Sequence, residues 1–273
     1  MARVLILSSC VAASRVGGGM QALALARLGV EPILIPTVLL GRHPGHGPPG
    51  GAAVEPAIFA AMIGGVEAQG LFARLDSVIT GHFSSPEQVE IAAAALDRVR
   101  AAAPAARLVV DPIMGDDGRL YVREAVAEAI ANHLVVRADL VAPNAWELGR
   151  LVGAEVSDAA SAVAASRALG KPVLVSSVRA GGRIGALYAD ADAAWLATHP
   201  LAPSAPKGTG DLLTVLAVAA LIGGFARPDA LALAVGGVVG AIDAADGADE
   251  LAVHGLPLGL APSSKVRLVP LGG

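Results

Sequence analysis

The pentapeptide Lys207-Gly208-Thr209-Gly210-Asp211 runs into an apolar segment, LLTVLAVAALIGG, and sets an anion-attracting feature beside an anion. Two glycines around Thr209 at the mouth of a helix leave backbone N–H groups free, and the helix dipole adds to their pull on negative charge. A glycine turn with a carboxylate near a helix start explains the pattern structurally. The chemical explanation is a phosphoryl-transfer site. The N–H groups of Gly208, Thr209 and Gly210 would hold charge developing on the transferring group, while Asp211 accepts the proton of the attacking hydroxyl. These two roles must be adjacent, because nucleophile and phosphorus have to meet within near-attack distance.

Two further clusters carry polar groups to strand ends. In VVDPIMGDDGRLYV, Asp111 closes an apolar run and Pro112 stops pairing, so the carboxylate falls at the carboxyl edge of a sheet, where open α/β sheets bind ligands. In ADLVAPNAWELGRL, Asn144 and Glu147 share one face of a first helical turn. Taken alone, that fragment is accounted for by Asn144 as an ordinary N-cap. A formal G-x-G-x-x-G at Gly45–Gly50 is a decoy, since Pro48 and Pro49 remove two of the N–H donors a pyrophosphate needs. No Walker-type G-x-x-x-x-G-K-[ST] is present.

Short aliphatic runs alternating with alanine-rich stretches would position these clusters, as in a parallel sheet with crossover helices. Strands are predicted at Arg3–Ser9, Pro32–Thr37, Ser77–Thr80, Arg107–Asp111, Asp139–Ala142 and Pro172–Ser177, and helices near Gly18–Leu28, Glu55–Gln69, Pro86–Ala102, Arg123–Val135 and Ala159–Leu169. Arg183–Tyr188 and Ala194–Thr198 read as an antiparallel edge pair, followed by apolar helices near Thr209–Phe225 and Pro228–Ala244. Val38–Val54, rich in Gly, Pro and His, reads as a loop, and the tail after Gly247 carries little signal. No linker or repeat divides the chain, so residues 1–273 are expected to form a single domain.

The chain has 273 residues, 54% of them hydrophobic and 16% charged, which excludes disorder and fits elements buried on both faces. A net charge of −4 without a basic block speaks against a nucleic-acid partner. The single cysteine, Cys10, forms no intrachain disulfide and no Cys-based zinc site, and it fits a reducing cytosol. The start MARVLILSSC is too short in its apolar core for a typical signal peptide. The uncharged run Leu212–Ala226 falls short of the roughly 20 residues of a membrane span, so a buried helix and no membrane partner are expected. His82, His133, His199 and His254 are scattered, with structural or surface roles as their default, and no histidine pair has metal-ligand spacing on a helix. Cys10 reads as a small buried residue, with a thiol near a substrate aldehyde as the alternative.

Taken in order, DPIMGDDGRLYV, PNAWEL and GTGD resemble the ribokinase-type small-molecule kinases, and the N-terminal LSSCVAASRVGGGMQALALARLGVEPILIPTVLLGRHPGHG resembles the pyridoxal kinases among them. The resemblance spans nearly the whole chain. It implies a ribokinase-like three-layer α/β/α sandwich with a mostly parallel central sheet and an antiparallel edge. It also implies ATP- and Mg²⁺-dependent phosphorylation of the 5′-hydroxyl of pyridoxal, with pyridoxine and pyridoxamine as further substrates. Asp211 would be the base and Gly208, Thr209 and Gly210 the anion hole of residues 207–245. Asp111, Asn144 and Glu147 would organise Mg²⁺ and the ATP phosphates, with Asp111 and Glu147 on the metal side. Ser176 and Ser177 would contact phosphate or ribose. Ser9, Thr37 and His43 would line the pyridoxal pocket, with His46 on a flap (38–54) that closes over it. Cys10, Gly18 and His82 stand where the family often has His, Asn and Tyr, which bears on vitamer preference more than on kinase chemistry. Lys207 either adds charge near the phosphates or is solvated. A cytoplasmic homodimer is implied by the resemblance alone. The alternatives are a hydroxymethylpyrimidine kinase, often bearing Cys in place of Asp211, a sugar kinase of the same fold, or a non-catalytic B6-binding protein.

Overall fold

A computed structural model describes residues 1–251, 260 and 262–272. His254 lies outside the described residues. The chain divides into two compact units, Met1–Met114 with Leu120–Asp139, and Gly115–Arg119 with Leu140–Gly273.

The first unit is built on parallel strands. β1 (Arg3–Val11), β2 (Glu31–Leu40), β3 (Gly51–Ala53), β4 (Ser77–Thr80) and β5 (Arg107–Val110) lie in the order β5-β4-β1-β2-β3, and every pairing is parallel except β2 with β3. β4 is buried throughout and β1 nearly so, as expected where helices cover both faces. Those helices are α1 (Gly17–Arg27), α2 (Pro56–Ala68), α3 (Pro86–Ala102) and α4 (Glu124–Ala129). α3 starts where Ser85 accepts the Gln88 N–H and Pro86 occupies the first turn. The core joins Leu5, Ile6 and Leu7 of β1 to Ile79, Met20 and Leu25, with Phe59 edge-on to Phe83 at 6.4 Å.

Two sequence expectations change in this unit. The helix predicted over Arg123–Val135 stays α-helical only to Ala129 and passes through a π turn, Ile130–Leu134, to a 3₁₀ turn, Val135–Arg137. Arg137 donates to the His133 carbonyl at 2.7 Å while paired with Asp97, so a side chain serves the carbonyls at this loosened end. The Val38–Val54 loop is a hairpin at its base, Val38↔Ala53 to Leu40↔Gly51, with its open tip over residues 41–50.

The second unit holds β8 (Leu140–Val141), α5 (Ala145–Val152), α6 (Ala159–Leu169), β9 (Val173–Ala180), β10 (Arg183–Ala189), β11 (Ala194–Pro200), α7 (Thr209–Ile222), α8 (Arg227–Ala245) and β12 (Arg267–Leu271). The short strands β6 (Gly115–Asp116) and β7 (Arg119–Leu120) mark the excursion where the chain passes between units. Strand order is β12-β11-β10-β9-β8, with β8 and β9 parallel and the rest antiparallel. The expected antiparallel pair is therefore a larger edge, extended by β12, for which the tail sequence gave no signal. α8 is long and apolar enough to cross a membrane by length and composition. Here it packs against α7, β10, β11 and β12, and buries Leu231, Ala234, Val235 and Val239 as a core helix.

Candidate active site

In the first unit the polar strand ends gather around a break in the ladder. Ser8 pairs with Pro36 but Cys10 pairs with Leu39, so β2 carries an extra residue opposite Ser9. Such bulges re-aim side chains and favour active sites. The glycine-rich turn closes onto this spot. A Cβ on Gly17 would sit 2.0 Å from Ser9 Oγ, and Gly17 also has φ 60°. At Gly18 an added Cβ would meet Leu34 Cδ1 at 2.5 Å and the Ser9 carbonyl at 3.0 Å. Gly18 thus fits the close approach of α1 to β1 and β2. Ser9 is buried, and Cys10 is a half-buried free thiol.

Thr37 is fully buried, and its hydroxyl donates to the His82 carbonyl at 2.6 Å. The His82 N–H donates to Ser8 Oγ at 3.3 Å. Burial pushes the His82 imidazole below its usual pKa, its own carbonyl partly opposing the shift, and Nδ1 is buried without a hydrogen-bond partner among the described residues. His43 caps the 3₁₀ turn Pro44–His46 by accepting the Gly45 N–H on Nδ1 at 2.9 Å, and its own N–H reaches Ser14 Oγ at 3.1 Å. The His46 ring stands edge-on to it at 5.8 Å on the exposed flap tip. Asp111 follows β5, donates its N–H to the Thr80 carbonyl at 3.0 Å, and is 7% exposed. Two residues on, Ile113 has φ 40°, a strained value for a β-branched residue and one that favours functional sites.

In the second unit Asn144 is an N-cap, as the isolated fragment suggests. It forms a full capping box, with Glu147 N–H on Asn144 Oδ1 at 2.8 Å and Asn144 N–H on Glu147 Oε2 at 2.9 Å. Both side chains also hold Gly115, through Asn144 Nδ2 to its carbonyl at 2.8 Å and its N–H to Glu147 Oε1 at 3.2 Å. No Cβ fits at Gly115, which would lie 2.2 Å from the Arg119 carbonyl and 2.5 Å from the Trp146 ring. Ser176 bridges Asn144 across the β8 and β9 ends, and its N–H reaches the Pro143 carbonyl at 2.9 Å. Ser177 has φ 61° at a bulge of β9, where Val178 pairs with Gly185 but Val175 pairs with Leu187.

Ser177 joins Trp146, Arg150, Asp158, Arg179 and Asp116 on the wall of an open cleft of ≈ 920 Å³. Burial raises the Asp116 carboxyl pKa, against the Asp117 N–H that lowers it. Asp116 stands inside the D-P-I-M-G-D run, yet sequence reasoning assigned it no role; the adjacent Asp pair was the only available signal.

Gly208 caps α7 in the left-handed conformation, φ 88°, with no side-chain cap bond, and Thr209, Gly210 and Asp211 form the first turn. An uncapped first turn is a set of backbone donors aimed outward. Gly210 is exposed, and a Cβ there would meet nothing within 4 Å, so the chain's own packing does not demand glycine. Asp211 is half-buried with Oδ1 out of solvent contact, at the third helical position. The Lys207 side chain is exposed, while its N–H is tied to the Asp249 carbonyl at 3.1 Å.

For a divalent cation, no three His, Cys, Asp or Glu side chains converge among the described residues. Mg²⁺ does not need such a cage, since it keeps several waters and binds through one or two carboxylates and substrate phosphates. Glu147 and Asp111 are buried carboxylates, one in each unit, and carboxylate oxygen is the donor chemistry that ion takes.

A family profile described as phosphomethylpyrimidine kinase matches residues 58–254. The chain belongs to this family of small-molecule kinases. Among curated relatives, a pyridoxine/pyridoxal/pyridoxamine kinase of Bordetella avium is 35% identical over 230 residues, covering 81% of this chain and 78% of its own. A pyridoxal kinase of Deinococcus radiodurans is 35% identical over 228 residues, covering 78% and 76%. The pyridoxal kinase from Leishmania donovani in complex with ADP and pyridoxamine superposes with a TM-score of 0.92 at 28% identity, over 100% of both chains. The fold is thus α/β and ribokinase-like, and these relatives place the chain on the pyridoxal-kinase branch of the family.

Proposed function

We propose that the protein transfers the γ-phosphoryl group of ATP to the 5′-hydroxyl of pyridoxal, and of pyridoxine and pyridoxamine, yielding the 5′-phosphates. The observation that carries this is the start of α7, where a left-handed Gly208 leaves the first turn without a side-chain cap and Asp211 stands at its third position. Asp211 takes the hydroxyl proton as the bond to phosphorus forms, and the N–H groups of Gly208, Thr209 and Gly210 stabilise the charge on the equatorial oxygens. Asp111 and Glu147 would hold Mg²⁺ with its waters, Asn144 keeping Glu147 oriented through the capping box. When bound, the ion neutralises charge on the β- and γ-phosphates. Ser176 and Ser177 contact the nucleotide, Lys207 adds positive charge near the phosphates, and Ser9, Cys10, Thr37, His43, His46 and His82 form the vitamer side. One domain, a homodimer and a cytoplasmic setting complete the reading.

Asp211→Asn keeps the side-chain shape and removes the base. Turnover with Mg-ATP and pyridoxal should fall by roughly 10²–10⁴ in a coupled assay, with ATP binding intact. Near-normal turnover would remove Asp211 from the base role. Running wild type against hydroxymethylpyrimidine beside the three vitamers decides the substrate, and activity on hydroxymethylpyrimidine alone would overturn the vitamer assignment.

A further inference from the structure

The most densely used side-chain amide in the described residues belongs to Gln88, a residue the chemistry above leaves idle. It sits on the first turn of α3 and is 1% exposed. Its Nε2 donates to the Thr37 carbonyl at 2.8 Å and to the Val54 carbonyl at 2.7 Å, and its Oε1 accepts the Ser84 N–H at 2.9 Å. Thr37 and Val54 are the two ends of the flap, joined by the Val54 N–H to the Thr37 carbonyl at 3.0 Å. Ser84 belongs to the loop that carries His82, and Thr37 Oγ1 already holds the His82 carbonyl. The bonds close a ring through Gln88, Thr37, His82 and Ser84.

Satisfying buried polar groups accounts for the bonds to the Val54 carbonyl and the Ser84 N–H, but not for the bond to Thr37. The Thr37 carbonyl has the Val54 N–H as a partner without Gln88, so the amide adds a second bond at the hinge. The effect is to tie three segments of distant sequence at one point: the strand entering the flap, the chain leaving it, and the loop behind it. Beyond that point the β2–β3 pairs run on to Leu40↔Gly51, and the exposed tip that bears His43 and His46 is tied again, from the Ala13 N–H to the Gly41 carbonyl at 2.9 Å and from the His43 N–H to Ser14 Oγ at 3.1 Å.

We propose that Gln88 is a positioning residue that clamps the flap base to the His82 loop and thereby sets affinity for the vitamer, leaving the rate of phosphoryl transfer to α7 and the carboxylates. The inference rests on the kinase reading for its substrate, but the clamp itself is a property of the protein without substrate.

The test uses Gln88→Glu, which keeps the acceptor and removes both donors, and Gln88→Met, which removes all three bonds at similar volume. In folded variants KM for pyridoxal should rise about tenfold or more, while kcat and KM for ATP stay within about twofold. Trypsin should cut after the exposed Arg42 of the flap about tenfold faster with no substrate present, because the hinge opens more often. Equal losses in kcat and in both KM values, or unchanged Arg42 cleavage, overturn the proposal. Wild-type turnover alone tests the kinase reading, so absent activity with faster Arg42 cleavage sinks that reading and keeps the clamp. Should both variants fail to fold, hydrogen exchange in the wild-type protein decides: slow exchange at the Ser84 amide, whose acceptor is Gln88 Oε1, supports the clamp, and fast exchange there removes it.

Discussion

His82 shows how one residue's surroundings override its reading in isolation. Among scattered histidines it has no special claim, yet it is half-buried, with Nδ1 out of solvent contact, on the loop held by Ser8 and Thr37. Burial depresses its folded pKa below the usual 6.5, so the imidazole stays neutral while the unfolded chain's imidazole gains a proton. Between those two pKa values the unfolded state binds more protons, and stability therefore falls as pH drops through about 6.5 toward the folded value. The slope from one such proton is at most about 1.4 kcal/mol per pH unit. His82→Phe should flatten this acid limb in urea midpoints taken between pH 7.5 and 5. His199, also lowered by burial, retains its share in both proteins. Parallel curves would show that His82 is not held neutral. The placement of Asp111 at a strand end and of Gly208–Asp211 at a helix start is readable in the sequence because the signals are local: a proline after a strand, glycines before a helix. That of Gln88 is not, because a glutamine in a first helical turn looks solvent-facing until its partners, 34 and 51 residues away, are known.

Among the elements, α5 shows how one local motif can be both structural and chemical. Taken alone, the Asn144–Glu147 spacing reads as an ordinary cap, and only the family resemblance adds a metal-organising role; the capping box is what the structure contains. The two roles are compatible, because the Asn144 N–H of the box and the Gly115 N–H orient the Glu147 carboxylate from its two oxygens. Asn144→Ala removes the cap and the bond to the Gly115 carbonyl, and should cost about 2 kcal/mol in urea unfolding. Asn144→Ser restores an acceptor for the Glu147 N–H without the amide's reach to Gly115, and about half that loss should return. Equal losses would show that the cap contributes nothing beyond the tether to Gly115. The elements that sequence reading missed fail for a shared reason. β3 is three residues of small side chains, Gly51–Ala53, and β12 is exposed along Arg267–Pro270, so neither shows the buried alternation that marks a strand. Their strand character comes from the neighbour they pair with, Val38–Leu40 for β3 and Ala194–Thr198 for β12.

At the scale of the whole molecule, the absence of a linker in the sequence has a physical counterpart in the path of the chain. Gly115–Arg119 belongs to the second unit, whereas the residues before and after it belong to the first, so the first unit is not a continuous stretch of sequence. The second is split in the same way, and no single peptide break separates the two. Interleaving of this kind supports the proposal of one domain, since loss of either unit pulls on the chain of the other. Heating should then give a single transition, seen together by tryptophan fluorescence and far-ultraviolet circular dichroism, with calorimetric and van't Hoff enthalpies in agreement. Both tryptophans, Trp146 and Trp195, report on the second unit, while helices of both units contribute to the dichroism. Fluorescence that changes before the dichroism would separate the units and end the single-domain proposal. If the native state is also a homodimer, unfolding is linked to dissociation, and the midpoint rises with protein concentration. A midpoint that stays fixed over a hundredfold range of concentration, with a mass near 27.1 kDa by light scattering, would remove the dimer and leave the kinase reading untouched.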